Sequence, residues 1–164
     1  MYYEDLELCR YHSGPFDADT WGVPLLTIGW LEHPNAFHRG PTPQGLVLKL
    51  LGLVARARAT YPHYYFLGVH TCSICQAGGL PSPGPIWSQE NIFVPGVEQI
   101  YIAPGGIAHY VEFHSYLPPQ PFIEAVMLCP EYGSLQYCDA LRTSNAGKTP
   151  PLETSAENRA KFAY

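Results

Sequence analysis

The chain predicts an α+β fold: a small, mostly antiparallel sheet with helices packed against it and a zinc knuckle. Three observations point there. Residues 25–30, 64–70 and the pair of runs flanking Pro95-Gly96 are short and rich in strand formers. The stretch from Thr42 to Ala59 has the length and apolar density of a helix. The elements follow as strand, helix, strand, hairpin, helix, helix, with Gly/Pro-rich breaks between them.

Taken in order, residues 1–24 mix tyrosines, acids and Gly/Pro punctuation and are expected to be an irregular arm. Residues 25–30 form a strand bounded by Pro24 and Pro34, followed by a loop with His33, His38 and Gly40. Thr42 caps the next helix, and Pro43 suits its first position because it lacks only an N–H that would go unpaired there. Apolar residues cover most of this helix, with Gln44, Lys49 and Arg56 as a narrow wet stripe. It is therefore expected to be largely buried, with Leu50 and Val54 on the sheet and Gly45 and Gly52 permitting close approach. Pro62 ends the segment, residues 64–70 return as a strand, and residues 76–85 form a loop. The hairpin pairs 92–94 with 97–102 about a type II turn at Pro95-Gly96. Residues 107–116 form a helix that Pro118-Pro119 breaks, and Pro119 or Pro121 opens another over 122–128. Beyond Cys138 the chain is polar and aperiodic. The expected organisation is one α+β domain over 1–138 and a weakly ordered tail over 139–164, where Thr154 and Glu157 resemble a capping box.

Charge and composition exclude several classes. The 164 residues carry 9 basic and 14 acidic side chains, a net charge of −5, which argues against a nucleic-acid partner because phosphate binding needs clustered Lys and Arg. The longest apolar run is interrupted by Lys49 and Arg56 and is too short to span a bilayer, so no membrane partner is expected. The first residues lack the basic and apolar regions of a secretory signal, so a cytoplasmic protein is expected. Thiols stay reduced there, so the five cysteines are expected to be ligands or buried thiols, not disulfides.

The run Gly68-Val69-His70-Thr71-Cys72-Ser73-Ile74-Cys75 carries the chemistry. Thiolate and imidazole are preferred zinc ligands, and C-x₂-C spacing lets both sulfurs reach one ion. His70 lies two residues before Cys72, on the same side of a strand. It is either a ligand or a hydrogen-bonded core histidine. A remote donor must close the site, and His109 is favoured because it sits in the first turn after the hairpin. His114 is the reserve: five residues from His109, it is rotated by roughly 140°, which argues against one helix aiming both at one ion. Cys129 ranks third, as a small buried apolar residue. The expected metal set is thus Cys72, Cys75, His70 and His109, with zinc as the cofactor. The loop histidines His12, His33, His38 and His63 are expected at the surface.

Other chemistries fit less well. A thioredoxin-like dithiol needs its cysteines at a helix start, and the Gly/Pro-rich segment after Cys75 is expected to form none. Gln76 stands where haem attachment needs histidine, and Thr71 stands where a nucleobase deaminase places glutamate. A zinc-dependent hydrolase stays open if three side chains ligate and water takes the fourth place, with Glu90, Glu98 or Glu112 as base. Gly105-Gly106 lacks the signature of a phosphate cradle and reads as a strand-to-helix turn.

The ordered motifs Gly29-Trp30-Leu31, the Gly68 to Cys75 run, Ala103-Pro104, His109-Tyr110 and His114-Ser115-Tyr116-Leu117-Pro118-Pro119 resemble those of a family of small uncharacterised bacterial proteins. The resemblance spans roughly residues 1–130. It implies a common fold and a metal site, and no activity. The sequence therefore supports a zinc-binding module that binds an unidentified protein or small molecule, with the hydrolase as the alternative; it assigns no catalytic residue.

Overall fold

Residues 2–10, 18–60, 71–79 and 90–151 are described by the computed structural model. Strands β1 (Leu25–Thr27), β2 (Asn91–Pro95) and β3 (Ile100–Pro104) form a sheet in the order β1-β3-β2. The expected strand over 64–70 lies outside the described residues. The α+β class holds, and the sheet is mixed. β2 runs antiparallel to β3, from Asn91 opposite Pro104 to Pro95 opposite Ile100. β1 runs parallel to β3, with Leu25 opposite Ile100. A parallel neighbour requires a crossover, and helix α1 (Leu46–Thr60) lies between β1 and the hairpin in the chain.

β1 is shorter than residues 25–30 because Gly29 adopts φ +72, outside the strand region. A Cβ there would also stand 2.9 Å from Ile107 Cδ1, so both backbone and packing require glycine. The N-terminal arm is more regular than expected. Leu6 N–H donates to the Thr27 carbonyl at 2.8 Å, Thr27 N–H to the Glu7 carbonyl at 2.8 Å, and Cys9 N–H to the Leu25 carbonyl at 2.8 Å. The arm thus covers the edge of β1 that β3 does not.

α1 begins at Leu46, three residues beyond the expected Pro43, because Gly45 takes φ +88 and interrupts the helical path. Leu46, Leu50, Leu53 and Ala57 form its buried stripe, a single face at helical spacing. The expectation of burial around most of the circumference is corrected: Leu48 and Leu51 are exposed. So is the expectation for Gly45 and Gly52, since an added Cβ would meet nothing within 4 Å at either. Leu50 is fully buried and Val54 is half-buried against the core, as expected.

The hairpin turn also differs. Gly96 N–H donates to the Gln99 carbonyl at 2.9 Å, and the positive φ of the turn falls on Glu98, so the reversal spans 96–99 instead of centring on Pro95-Gly96. Helix α3 (Ile107–His114) follows β3 after Gly105-Gly106, and α4 (Gln120–Leu128) opens behind Pro119 with Pro121 in its first turn. Pro is tolerated there because those N–H groups need no intrahelical partner. Helix α5 (Leu135–Ser144) starts from the Ser134 cap and crosses the boundary expected at Cys138. Its Tyr137 and Leu141 are buried, and the Tyr137 hydroxyl donates to the Phe93 carbonyl at 2.7 Å. Residues 139–144 are therefore packed helix, held by two apolar anchors one turn apart; residues 152–164 lie outside the described set. α1 packs on α3, α4 and β2, while α4 and α5 pack on β2.

Candidate metal centre

Two short helices build the site. Cys72 is the cap of α2 (Ser73–Ala77), in extended conformation, and its sulfur accepts the Cys75 N–H at 3.3 Å. Both cysteines are buried and share one end of α2. The expectation that no helix forms after Cys75 is thus corrected: a short turn of helix fits before Gly78, and Gly79 at φ +62 takes the chain out of it. Placing the cysteines at a helix start removes that objection to a dithiol role.

α3 supplies the imidazoles. His109 is half-buried in its first turn; His114 ends it and is 7% exposed. Ser115 then takes φ 54 and Tyr116 N–H donates back to the Tyr110 carbonyl at 3.0 Å, which stops the helix at His114. The two histidines do converge: their Nε2 atoms are 3.1 Å apart. The roughly 140° between them is the width of one sector that also holds Phe113 and Tyr110. His109 stacks on Phe113 at 5.0 Å and so leans into that sector, meeting the His114 ring edge-on at 4.9 Å. Long side chains close an angle that the backbone alone leaves open.

The donors form one cluster. His114 Nε2 lies 3.3 Å from Cys72 Sγ and 3.2 Å from Cys75 Sγ, and His109 Nε2 lies 3.5 Å from Cys75 Sγ. The four donor atoms all lie within 4.8 Å of one another and can hold a metal ion. Burial and then His114 push the His109 pKa down; burial and then Arg39 push His114 down. Both imidazoles are therefore biased to the neutral form that ligates. Burial, then the neighbouring Cys72, pushes the Cys75 thiol up. Tyr110 is pushed up by burial, then by Cys72, Cys75 and Glu32.

Of the expected set, Cys72, Cys75 and His109 come together and His114 joins them, while His70 lies outside the described residues. Cys129 is buried away from the cluster, and its carbonyl accepts Lys49 Nζ at 2.6 Å. His33 and His38 are exposed and do not join; His12 and His63 lie outside the described residues. None of the five cysteines is joined in a disulfide. Glu112 is exposed, and its position on α3 falls outside the sector of the two histidines. Glu90 is buried and paired with Arg58 at 2.8 Å. The signal for His114 was present in the sequence as the stacking partner Phe113, four residues after His109.

The loop between β1 and α1 is hooked to this centre twice. Ser73, next to Cys72, accepts the His33 N–H on Oγ at 2.9 Å. Ser115, next to His114, accepts the Gly40 N–H on its carbonyl at 3.0 Å. No helix among the described residues is long and apolar enough to cross a membrane. No curated protein and no solved structure matches the chain. A family model described as a domain of unknown function (DUF7919) matches residues 1–127, and the chain belongs to that uncharacterised family.

Proposed function

We propose that Cys72, Cys75, His109 and His114 bind one zinc ion, and that the ion is structural in a small protein acting as a binding or interaction module. The observation that carries this is the geometry of the four donors. Zinc bonds of about 2.3 Å to sulfur and about 2.0–2.1 Å to nitrogen give tetrahedron edges of roughly 3.3 Å for N–N and roughly 3.6 Å for S–N. The contacts of 3.1 Å between nitrogens and 3.2–3.5 Å between sulfur and nitrogen fall close to those edges. Hydrogen bonding accounts for them poorly. His114 Nε2 has three close neighbours, and one ring nitrogen offers one proton or one lone pair. A central cation satisfies all four atoms at once.

Two sulfurs and two imidazoles are a closed ligand set, and closed sets are the structural kind. A hydrolase needs an open position for water, and four protein donors leave none. Free thiols in such a site suit a reducing compartment such as the cytoplasm. The partner of the module is a protein or a small molecule.

Protein purified without chelator should contain close to one equivalent of zinc. Cobalt exchanged into the site should give the intense visible bands of tetrahedral cobalt with sulfur-to-metal charge transfer. Cys72→Ser and Cys75→Ser should lose the metal and melt earlier, since binding energy at a structural site is folding energy. Zinc below about a tenth of an equivalent, or unchanged melting in both variants, would overturn the proposal.

A further inference from the structure

A cavity of about 460 Å³ opens between the N-terminal arm and the loop after β1, away from the metal ligands. The arm is held on the sheet side, where Tyr3 N–H donates to the Trp30 carbonyl at 3.3 Å. The loop swings out after Leu31 and is recaptured at His38, whose carbonyl accepts the Leu117 N–H at 2.9 Å. The space between them is lined by the aromatic residues Tyr2, Tyr3 and Phe37, by the acidic residues Glu4 and Asp5, and by His38, with two aliphatic residues. Its volume falls within the range of small-molecule sites.

We infer that this cavity binds a small organic ammonium cation. Aromatic faces attract diffuse cations, and aromatic walls with a carboxylate are how quaternary ammonium groups are recognised. Among the described residues no lysine or arginine lines the cavity, and the Arg39 guanidinium beside it stands against the Phe37 ring, so an anion inside would meet two carboxylates in the lining itself. A hard metal cation needs six or more oxygen ligands, and this lining brings two carboxylate side chains, Glu4 and Asp5. A neutral apolar molecule would desolvate the carboxylates without pairing them.

The walls are set in advance of binding. Tyr3 meets Trp30 edge-on at 5.6 Å, and Phe37 meets the buried Tyr116 at 6.1 Å. Asp5 Oδ1 accepts the Tyr116 hydroxyl at 2.7 Å and the Gly29 N–H at 2.9 Å, which fixes that carboxylate in the wall. Such order lowers the entropy lost on binding. The field has the required sign: after burial, Glu4, Asp5 and Glu7 each push the Tyr2 hydroxyl up. Phe37 already accepts a cation within the fold, with the Arg39 guanidinium 4.7 Å from its ring centre.

Choline titrated calorimetrically into the full, metal-loaded chain should bind saturably, and its uncharged isostere 3,3-dimethylbutan-1-ol at least about tenfold more weakly. Glu4→Gln should weaken choline with unchanged melting and metal content. Phe37→Leu keeps an apolar side chain but removes the ring, and should weaken choline by about 2- to 30-fold. No saturable binding up to about 10 mM choline, well beyond the millimolar affinities of weak sites, would overturn the inference. So would equal binding of the isostere, or wild-type affinity in both variants. Binding of phosphatidylcholine vesicles or a trimethyllysine peptide without binding of choline would likewise overturn it. Choline binding retained in metal-free Cys72→Ser protein would support the cavity while testing the zinc reading separately.

Discussion

His109 and His114 bring their Nε2 atoms to 3.1 Å from the first and last turns of a helix only eight residues long. The pair makes α3 a two-point clamp on the α2 cysteines. His114 also lies against Ser115, whose left-handed backbone ends the helix and holds Gly40.

The clamp predicts equal dependence on both imidazoles. His109→Ala and His114→Ala should each weaken zinc retention by at least about a hundredfold, as loss of a direct ligand requires, whereas His38→Ala should not. Competition against a zinc chelator at fixed pH reads this, because ligand protonation otherwise shifts every value. Wild-type retention in His114→Ala would show that the imidazole contact is packing alone.

The buried stripe of α1 predicts a contrast between neighbours. Leu50 is fully buried, so Leu50→Ala should cost about 2–5 kcal/mol in urea unfolding. Leu48, 75% exposed two residues away, should change stability by less than about 0.5 kcal/mol on the same substitution. Similar losses at the two positions would mean that α1 is rotated from the face described.

Much of this was legible in advance, for identifiable reasons. The C-x₂-C knuckle is local, so Cys72 and Cys75 announce themselves by spacing. Leu50 follows from helical periodicity. Pro119 and Pro121 mark the start of α4 because proline tolerates few other helix positions. Features that depend on a single backbone rotation were not legible. Gly45 looks like any helix glycine until its φ of +88 delays α1, and Glu98 gives no hint that it will carry the turn's positive φ. The parallel pairing of β1 is a topological fact that no local pattern encodes. α5 was missed because Tyr137 and Leu141 give only two strong anchors in a polar stretch.

Tyr116 and Asp5 are separated by 111 residues and joined by a 2.7 Å hydrogen bond in a buried setting. Tyr116→Phe removes that donor while keeping the ring. Bonds to charged groups contribute about 1.5–3 kcal/mol, and the loss should fall in that range by thermal or urea unfolding, with zinc content unchanged. A loss under about 0.5 kcal/mol would mean that water replaces the hydroxyl.

Alkaline pH gives a further check. Burial pushes the Cys129 thiol up to about 11, against the opposing pull of Lys49. A raised folded-state pKa stabilises the fold below the free thiol's value near 9.0, and that stability is lost as pH rises through about 11. Cys129→Ala should therefore lose less stability than wild type over this window, by up to about 3 kcal/mol. Parallel curves of unfolding free energy against pH would show that the thiol ionises as freely in the fold as in the open chain.

The pairing of residues 6–9 with β1 has a consequence for handling the protein. β1 is three residues long and lies between β3 and the arm, so both of its edges are occupied. Trimming the chain past Cys9 would bare the backbone of Leu25–Thr27 beside two apolar side chains, a template on which a second molecule can add its own strand. Shortened versions should be judged by light scattering before melting, because the first thing such a cut releases is a sticky edge.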